Sequence, residues 1–131
     1  MITMKASQIA QIINGSLVGD DIEISAPSAI NSTAVSEGGI FFALVGEKSN
    51  GHDFVADAFS HGALLAVTSK PVAERHIQVS DVSQALATLA KFVREELKDL
   101  KVIGITGSQG KTTTKDLLNH LLSAQGNTVA P

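Results

Sequence analysis

Two spacings of apolar residues alternate along this chain, and each alternation predicts a change of element. In "ASQIAQIING" Ile9, Ala10 and Ile13 fall on one face at helical spacing, and Gly15 supplies a stop. "SLVG" and "DIEIS" read as two short strands beside a Gly19-Asp20 turn. The polar, turn-rich "SAINSTAVSEGG" leads into "IFFALVG", an unbroken apolar run that predicts a buried strand, and "EKSNG" is a loop. Phe54, Val55, Ala58 and Phe59 then mark a helix ended by Gly62, followed by the strands "ALLAVT" and "HIQVS". Asp81 with Gln84 three positions on has the form of a capping box. The helix it opens carries Val82, Leu86, Leu89, Ala90, Val93 and Leu97.

After the short link "KDLK", Val102 to Thr106 reads as a strand, and a helix from Gly110 to about Gln125 places Leu117, Leu118, Leu121 and Leu122 inward. "NTVA" reads as the start of another strand. Strands alternating with helices give an α/β protein with a largely parallel sheet. The expected division is a small mixed α/β domain over residues 1–98. Residues 99–131 would then be the first strand, loop and helix of a second, parallel-sheet domain.

Composition narrows the function classes. Of 131 residues 44% are hydrophobic and 18% charged, so a packed core is expected and disorder is not. The net charge of −3 argues against nucleic acid as partner, which favours a basic face. The absence of cysteine removes disulfides and thiolate metal sites. The longest apolar run, Ile40 to Val45, is too short to span a bilayer, and the N-terminus has no signal-like apolar region. A soluble, cytoplasmic protein is the expectation.

The chemistry is concentrated in "VIGITGSQGKTTTKDLL". A phosphate-binding turn needs small residues that let backbone N–H groups approach oxygens, a helix N-terminus, a lysine and a hydroxyl. Gly107 and Gly110 permit the approach, with Ser108 and Gln109 between them. Lys111 would reach the β- and γ-phosphates, Thr112 would meet Mg²⁺, and Thr113 would add a donor on the α-phosphate side. The general pattern asks for Gly where Ile105 stands. The bland reading, a strand-to-helix turn with a chance Lys-Thr, is disfavoured by the ordered run of strand, glycines, Lys-Thr and amphipathic helix.

This variant, T-G-S-x-G-K-T-T, resembles the Mur ligases and the related folylpolyglutamate synthetases, and "GITGSQGKTTTK" is most similar to the D-alanyl-D-alanine-adding Mur ligases. The resemblance runs along the whole chain. "SQIAQIINGSLVG" is similar to the family's opening helix and strand, and "GGIFFALVGEKSNGHDFVADAFSHGALLAV" to its UDP-binding domain. "DVSQALATLAKFVREEL" is similar to the helix entering its ATPase domain. It implies a cytoplasmic ATP-dependent ligase of peptidoglycan synthesis that joins D-Ala-D-Ala to UDP-N-acetylmuramoyl-tripeptide through an acyl phosphate. On that resemblance Gly107, Ser108, Gln109, Gly110, Lys111, Thr112 and Thr113 hold ATP, Lys111 is catalytic and Thr112 helps hold Mg²⁺. Ile30, Ser32, Glu47, Lys48 and Ser49 lie where relatives contact UDP.

Two departures stand out. Relatives usually show Asp-Ser/Thr-Arg where this chain has Asn31-Ser32-Thr33, which removes an acid and a base from the UDP site. The family's acidic Mg²⁺ ligand, modified lysine and C-terminal domain lie beyond Pro131. The expectation is thus a ligase fragment, inactive alone, from a monomeric enzyme, whose open strand edge could drive self-association. Another Mur-type or folylpolyglutamate synthetase-like ligase, a small phosphate-loop kinase or GTPase, and a non-catalytic nucleotide-binding module remain alternatives. His52 could touch substrate, but a local bond to Asp53 at a helix start is the favoured reading. His61, His76 and His120 lack metal-ligand spacing. Asp20, Asp21 and Glu23 read as a solvated turn, Lys115 and Asp116 as solvent-side charges, and Phe41, Phe42, Phe54 and Phe59 as core.

Overall fold

A computed structural model describes residues 2–130. The chain forms two compact units, Met1–Lys98 and Asp99–Pro131. In the first, β1 (Met4–Lys5) leads directly into α1 (Ala6–Ile12), followed by β2 (Ser16–Val18), β3 (Glu23–Ile24) and β4 (Ser28–Ala29). A 3₁₀ turn at Ser32–Ala34 precedes β5 (Ile40–Phe42), and a second at Gly51–Phe54 runs into α2 (Val55–Ser60). Then come β6 (Leu65–Thr68), β7 (His76–Gln78) and α3 (Val82–Glu96).

The main sheet has five strands in the order β2-β7-β6-β5-β4. β4, β5, β6 and β7 are mutually parallel, with Ser28 opposite Ile40, Phe41 opposite Ala66 and Val67 opposite Ile77. β2 runs antiparallel to β7 along the far edge. The two strands expected beside the Gly19-Asp20 turn belong to different sheets, since β3 pairs with β1. β4 emerges from a stretch that reads as turn, because its strand character comes from the neighbour β5 rather than from its own two residues.

The unbroken apolar runs are explained by burial on both faces. Ile40, Phe42, Leu65, Val67 and Ile77 pack on α1 and α3 through residues such as Ile9, Ile13 and Leu89. Phe41, Ala43 and Ala66 face the opposite way and pack with Val55 and Ala58 of α2. The strand period of two thus sends alternate residues into two cores. α3 starts where expected, its first turn capped by Asp81, whose side chain accepts the N–H of Gln84 at 3.0 Å. Its buried residues are Val82, Ala85 and Leu89, whereas Ala90 is exposed and Leu97 is 42% exposed, beyond the last turn. Phe54 is 45% exposed, so of the four phenylalanines assigned to the core it is the exception; it closes the 3₁₀ turn before α2 rather than lying on the helix's apolar face.

Among the described residues, the second unit contains one helix, α4 (Lys111–Ser123). The strand expected over Val102 to Thr106 is not formed, nor is one at "NTVA". A strand exists only through its neighbours, and among the described residues neither segment has a sheet to join. For the same reason α4 buries no residue: Leu117 and Leu121 are exposed, and Leu118 and Leu122 only half-buried.

Candidate functional sites

In the second unit, α4 is preceded by a turn with two glycines at positive φ: Gly107 (+151°) and Gly110 (+75°). Gly110 is the N-cap and sits in the left-handed region, which an L side chain enters only at a cost. Capping by a side chain is absent, and the first intrahelical bond runs from Thr114 N–H to Gly110 O at 2.9 Å. The N–H groups of Lys111, Thr112 and Thr113 therefore point out of the helix, where the dipole is positive. A methyl group placed on Gly110 would meet nothing within 4 Å, so the glycine is required by backbone conformation and not by packing.

Lys111, Thr112 and Thr113 are exposed. Small residues, free donors and a nearby cation suit a phosphate chain. For a divalent ion the fit is thinner. Thr112 offers one hydroxyl, and among the described residues no group of three or more His, Asp or Glu side chains is placed to hold a metal. Lys115 forms an ion pair with Asp116 at 3.3 Å.

In the first unit, the carboxyl ends of β4, β5 and β6 lie side by side because these strands are parallel. Ligands of open α/β sheets gather outside such ends. Ile30–Thr33 follows β4, the loop 43–50 follows β5, and Ser69-Lys70 follows β6. The topology thereby places Ile30 and Ser32 in one loop, and Glu47, Lys48 and Ser49 in the next, at the same end of the sheet. Ile30 is 60% exposed, and Glu47, Lys48 and Ser49 are exposed. Ser32 is the exception, 7% exposed, and so the least accessible of the five. Asn31 spends its side-chain oxygen locally, accepting the Thr33 N–H at 3.1 Å and its hydroxyl at 3.0 Å. The pair that replaces the usual acid and base thus closes its own turn.

The loop 43–50 has a defined shape. Gly51 N–H donates to Leu44 O at 2.8 Å, Gly46 N–H to Ser49 O at 2.9 Å, and Val45 bridges Asn50. Closure requires glycine at 51, since a Cβ there would lie 2.5 Å from the carbonyl carbon of Ala43 and 2.5 Å from the oxygen of Leu44. Lys48 is at the exposed tip.

His52 makes no local bond to Asp53. Its Nδ1 lies 2.7 Å from Asn50 Oδ1, and its Nε2 accepts the N–H of Ser69 at 3.0 Å, with Ser69 Oγ at 3.2 Å. Sequence reasoning could not find this pairing, because the partner is 17 positions away on another strand's end. Desolvation holds the imidazole below its usual pKa, helped by the nearby Lys70 charge and opposed by Asp53. His61 bonds to its own helix through Asp57, and His76 is a buried core residue.

The first unit thus gathers loops at the carboxyl ends of parallel strands, and the second opens a helix from a glycine-containing turn. Residues 28–94, just over half of the chain, match the family model described as "Mur ligase family, catalytic domain". The chain belongs to the Mur ligase family. It is 36% identical over its full length to the UDP-N-acetylmuramoyl-tripeptide–D-alanyl-D-alanine ligase of Mycobacterium leprae, covering 31% of that protein. The crystal structure of MurF from Acinetobacter baumannii matches 95% of the chain and 28% of its own length, with 33% identity and a TM-score of 0.79. MurF from Thermotoga maritima, solved in complex with ADP, matches 76% of the chain and 24% of its own length, with 36% identity and a TM-score of 0.57. The chain thus spans less than a third of the relatives it matches.

Proposed function

We propose that this chain supplies the nucleotide-sugar edge and the ATP turn of a ligase that joins D-Ala-D-Ala to UDP-N-acetylmuramoyl-tripeptide in the cytoplasm. The observation that carries the reading is the turn Gly107–Gly110, whose positive-φ glycines open an uncapped helix at Lys111-Thr112. Support for the substrate comes from the whole-chain similarity to D-alanyl-D-alanine ligases.

When bound, ATP would supply the phosphoryl group that activates the tripeptide carboxylate as an acyl phosphate for attack by the dipeptide amine. The chain's own residues bind and orient. The N–H groups of Lys111, Thr112 and Thr113 would donate to phosphate oxygens from positions fixed before binding, so little reorganisation is required. The Lys111 ammonium would neutralise charge on the β- and γ-phosphates, and the Thr112 hydroxyl would give Mg²⁺ one ligand, the remainder coming from phosphate and water. Ser108 and Gln109 complete the turn. In the first unit, Ile30 offers an apolar surface, Lys48 a cation and Ser49 a hydroxyl to a uridine diphosphate, with Glu47 and Ser32 beside them.

Titration of the isotopically labelled 131-residue chain tests both halves. ADP with Mg²⁺ should shift the amide signals of Gly107 to Thr113, and uridine diphosphate those of Ile30–Thr33 and Gly46–Ser49. Shifts confined to other segments would overturn the assignment.

A further inference from the structure

The hydrogen bonds inside the loop 43–50 fix its shape but not its place. The last ladder bond between β5 and β6 on this side runs from Ala43 N–H to Val67 O at 2.9 Å. Beyond it, among the described residues, the bonds of His52 to Ser69 are the only hydrogen bonds from the 44–52 segment to the end of β6.

The tautomer follows from the partners. Asn50 Oδ1 also accepts the backbone N–H of His52 at 3.2 Å, which identifies it as the oxygen, so Nδ1 must carry the proton. The Ser69 N–H can only donate, so Nε2 must be the bare nitrogen. A second proton at Nε2 would place two donors face to face. One neutral ring therefore spans two segments, its Nδ1 side on the loop's last residue and its Nε2 side on Ser69, just past β6.

We propose that His52 is a positioning residue, a neutral imidazole strut that holds the 43–50 loop against the end of β6 and so places Glu47, Lys48 and Ser49 for the substrate. The placement of the loop stands on the hydrogen bonds alone; its consequence for ligand rests on the reading of this edge as the uridine diphosphate site. Gly51 and His52 divide the work: Gly51 lets the loop close on itself, and His52 sets where the closed loop sits. The residue acts through the loop and need not touch the ligand.

The test uses the full 131-residue chain and three variants. His52→Ala removes both bonds. His52→Gln carries a carbonyl oxygen to about the Nε2 position and keeps an acceptor for Ser69. His52→Asn reaches only the Nδ1 position. In His52→Ala the amide of Ser69 should lose about tenfold in exchange protection, and Gly46 and Gly51 should lose protection with it, while Val67 and Ile77 keep theirs. Affinity for uridine diphosphate should fall about tenfold as well. His52→Gln should recover most of both effects and His52→Asn neither.

Unchanged protection of Ser69 and the loop in His52→Ala, or equal recovery by Asn and Gln, would overturn the proposal. If His52→Ala unfolds the unit, the sheet amides fail together and the Gln–Asn comparison decides. If the wild-type chain does not bind uridine diphosphate, the substrate assignment fails, and the protection data still decide whether His52 places the loop.

Discussion

Ser7 engages both carboxylate oxygens of Asp21: its N–H donates to Oδ1 at 2.9 Å and its hydroxyl to Oδ2 at 2.8 Å. Asp21 lies in the connection between β2 and β3, 14 positions away, and so supplies α1 with an acceptor at its first turn that the helix's own N-cap, Lys5, does not provide. The residue is thus a capping group and not part of a merely solvated turn, while its neighbour Asp20 pairs with Arg75 at 3.4 Å.

The Ser7 backbone bond, then the Ser7 hydroxyl, hold the Asp21 carboxyl below its ordinary 3.8, with the Lys5 charge adding to them. A carboxylate with a depressed folded-state pKa contributes stability that is present above its unfolded value and lost as pH falls through the folded one. Asp21→Asn should therefore lower the urea midpoint at pH 7, and the difference from wild type should shrink below about pH 4. A difference that stays constant into acid would contradict the assignment.

His52 gives a second pH dependence, of the same sign. Its folded-state pKa is lowered from 6.5, so the unfolded chain takes up a proton first as pH falls. Its contribution is complete above about pH 6.5 and is lost as pH drops through the lowered folded value. Denaturation midpoints at pH 7.5 and 5.5 should differ more for wild type than for His52→Gln, which has no proton to gain.

Lys111→Ala in the ligase that carries this turn should leave the fold intact, because the side chain is exposed and packs in no core. Loss of a positioned phosphate contact should cost about 3 kcal/mol of transition-state stabilisation, or more than a hundredfold in kcat/KM. Turnover near wild type would show that the lysine does not meet phosphate. In the 131-residue chain alone, incubation with ATP, Mg²⁺, D-Ala-D-Ala and UDP-N-acetylmuramoyl-tripeptide should release no phosphate above blank.

Two apolar truncations should separate the units by burial. Phe42 is fully buried beneath α1 and α3, and Phe42→Ala should cost about 3–5 kcal/mol. Leu121 is 56% exposed on α4, and Leu121→Ala in this chain should change stability by no more than about 0.5 kcal/mol. Chemical denaturation of the two variants checks the contrast directly.

What the sequence disclosed depended on how local the cause was. β5, β6 and α3 were legible because their own residues carry the signal: an apolar run for the strands, and Asp81 with a periodic stripe for the helix. The glycines of the turn before α4 were legible for the same reason. β4 was not, since Ser28 and Ala29 become a strand only by lying against Ile40 and Phe41. Val102 to Thr106 errs in the opposite direction, with strand-like composition but no strand beside it. His52 and Asp21 each pointed to near neighbours in the sequence, yet each bonds across a long separation that composition does not encode. Ser32 resembles a ligand contact by position, and only its burial shows that the residue is largely shut from solvent.

The shortness of β4 also bears on what this sheet can attract. A long flat edge offers unpaired backbone groups to any extended chain, which is the route to strand addition and aggregation. Here the outer rim is two residues long and is followed at once by the Asn31-capped turn, so a visiting strand finds no register to extend. The rim that borders the candidate substrate loops thereby offers another polypeptide little backbone to pair with.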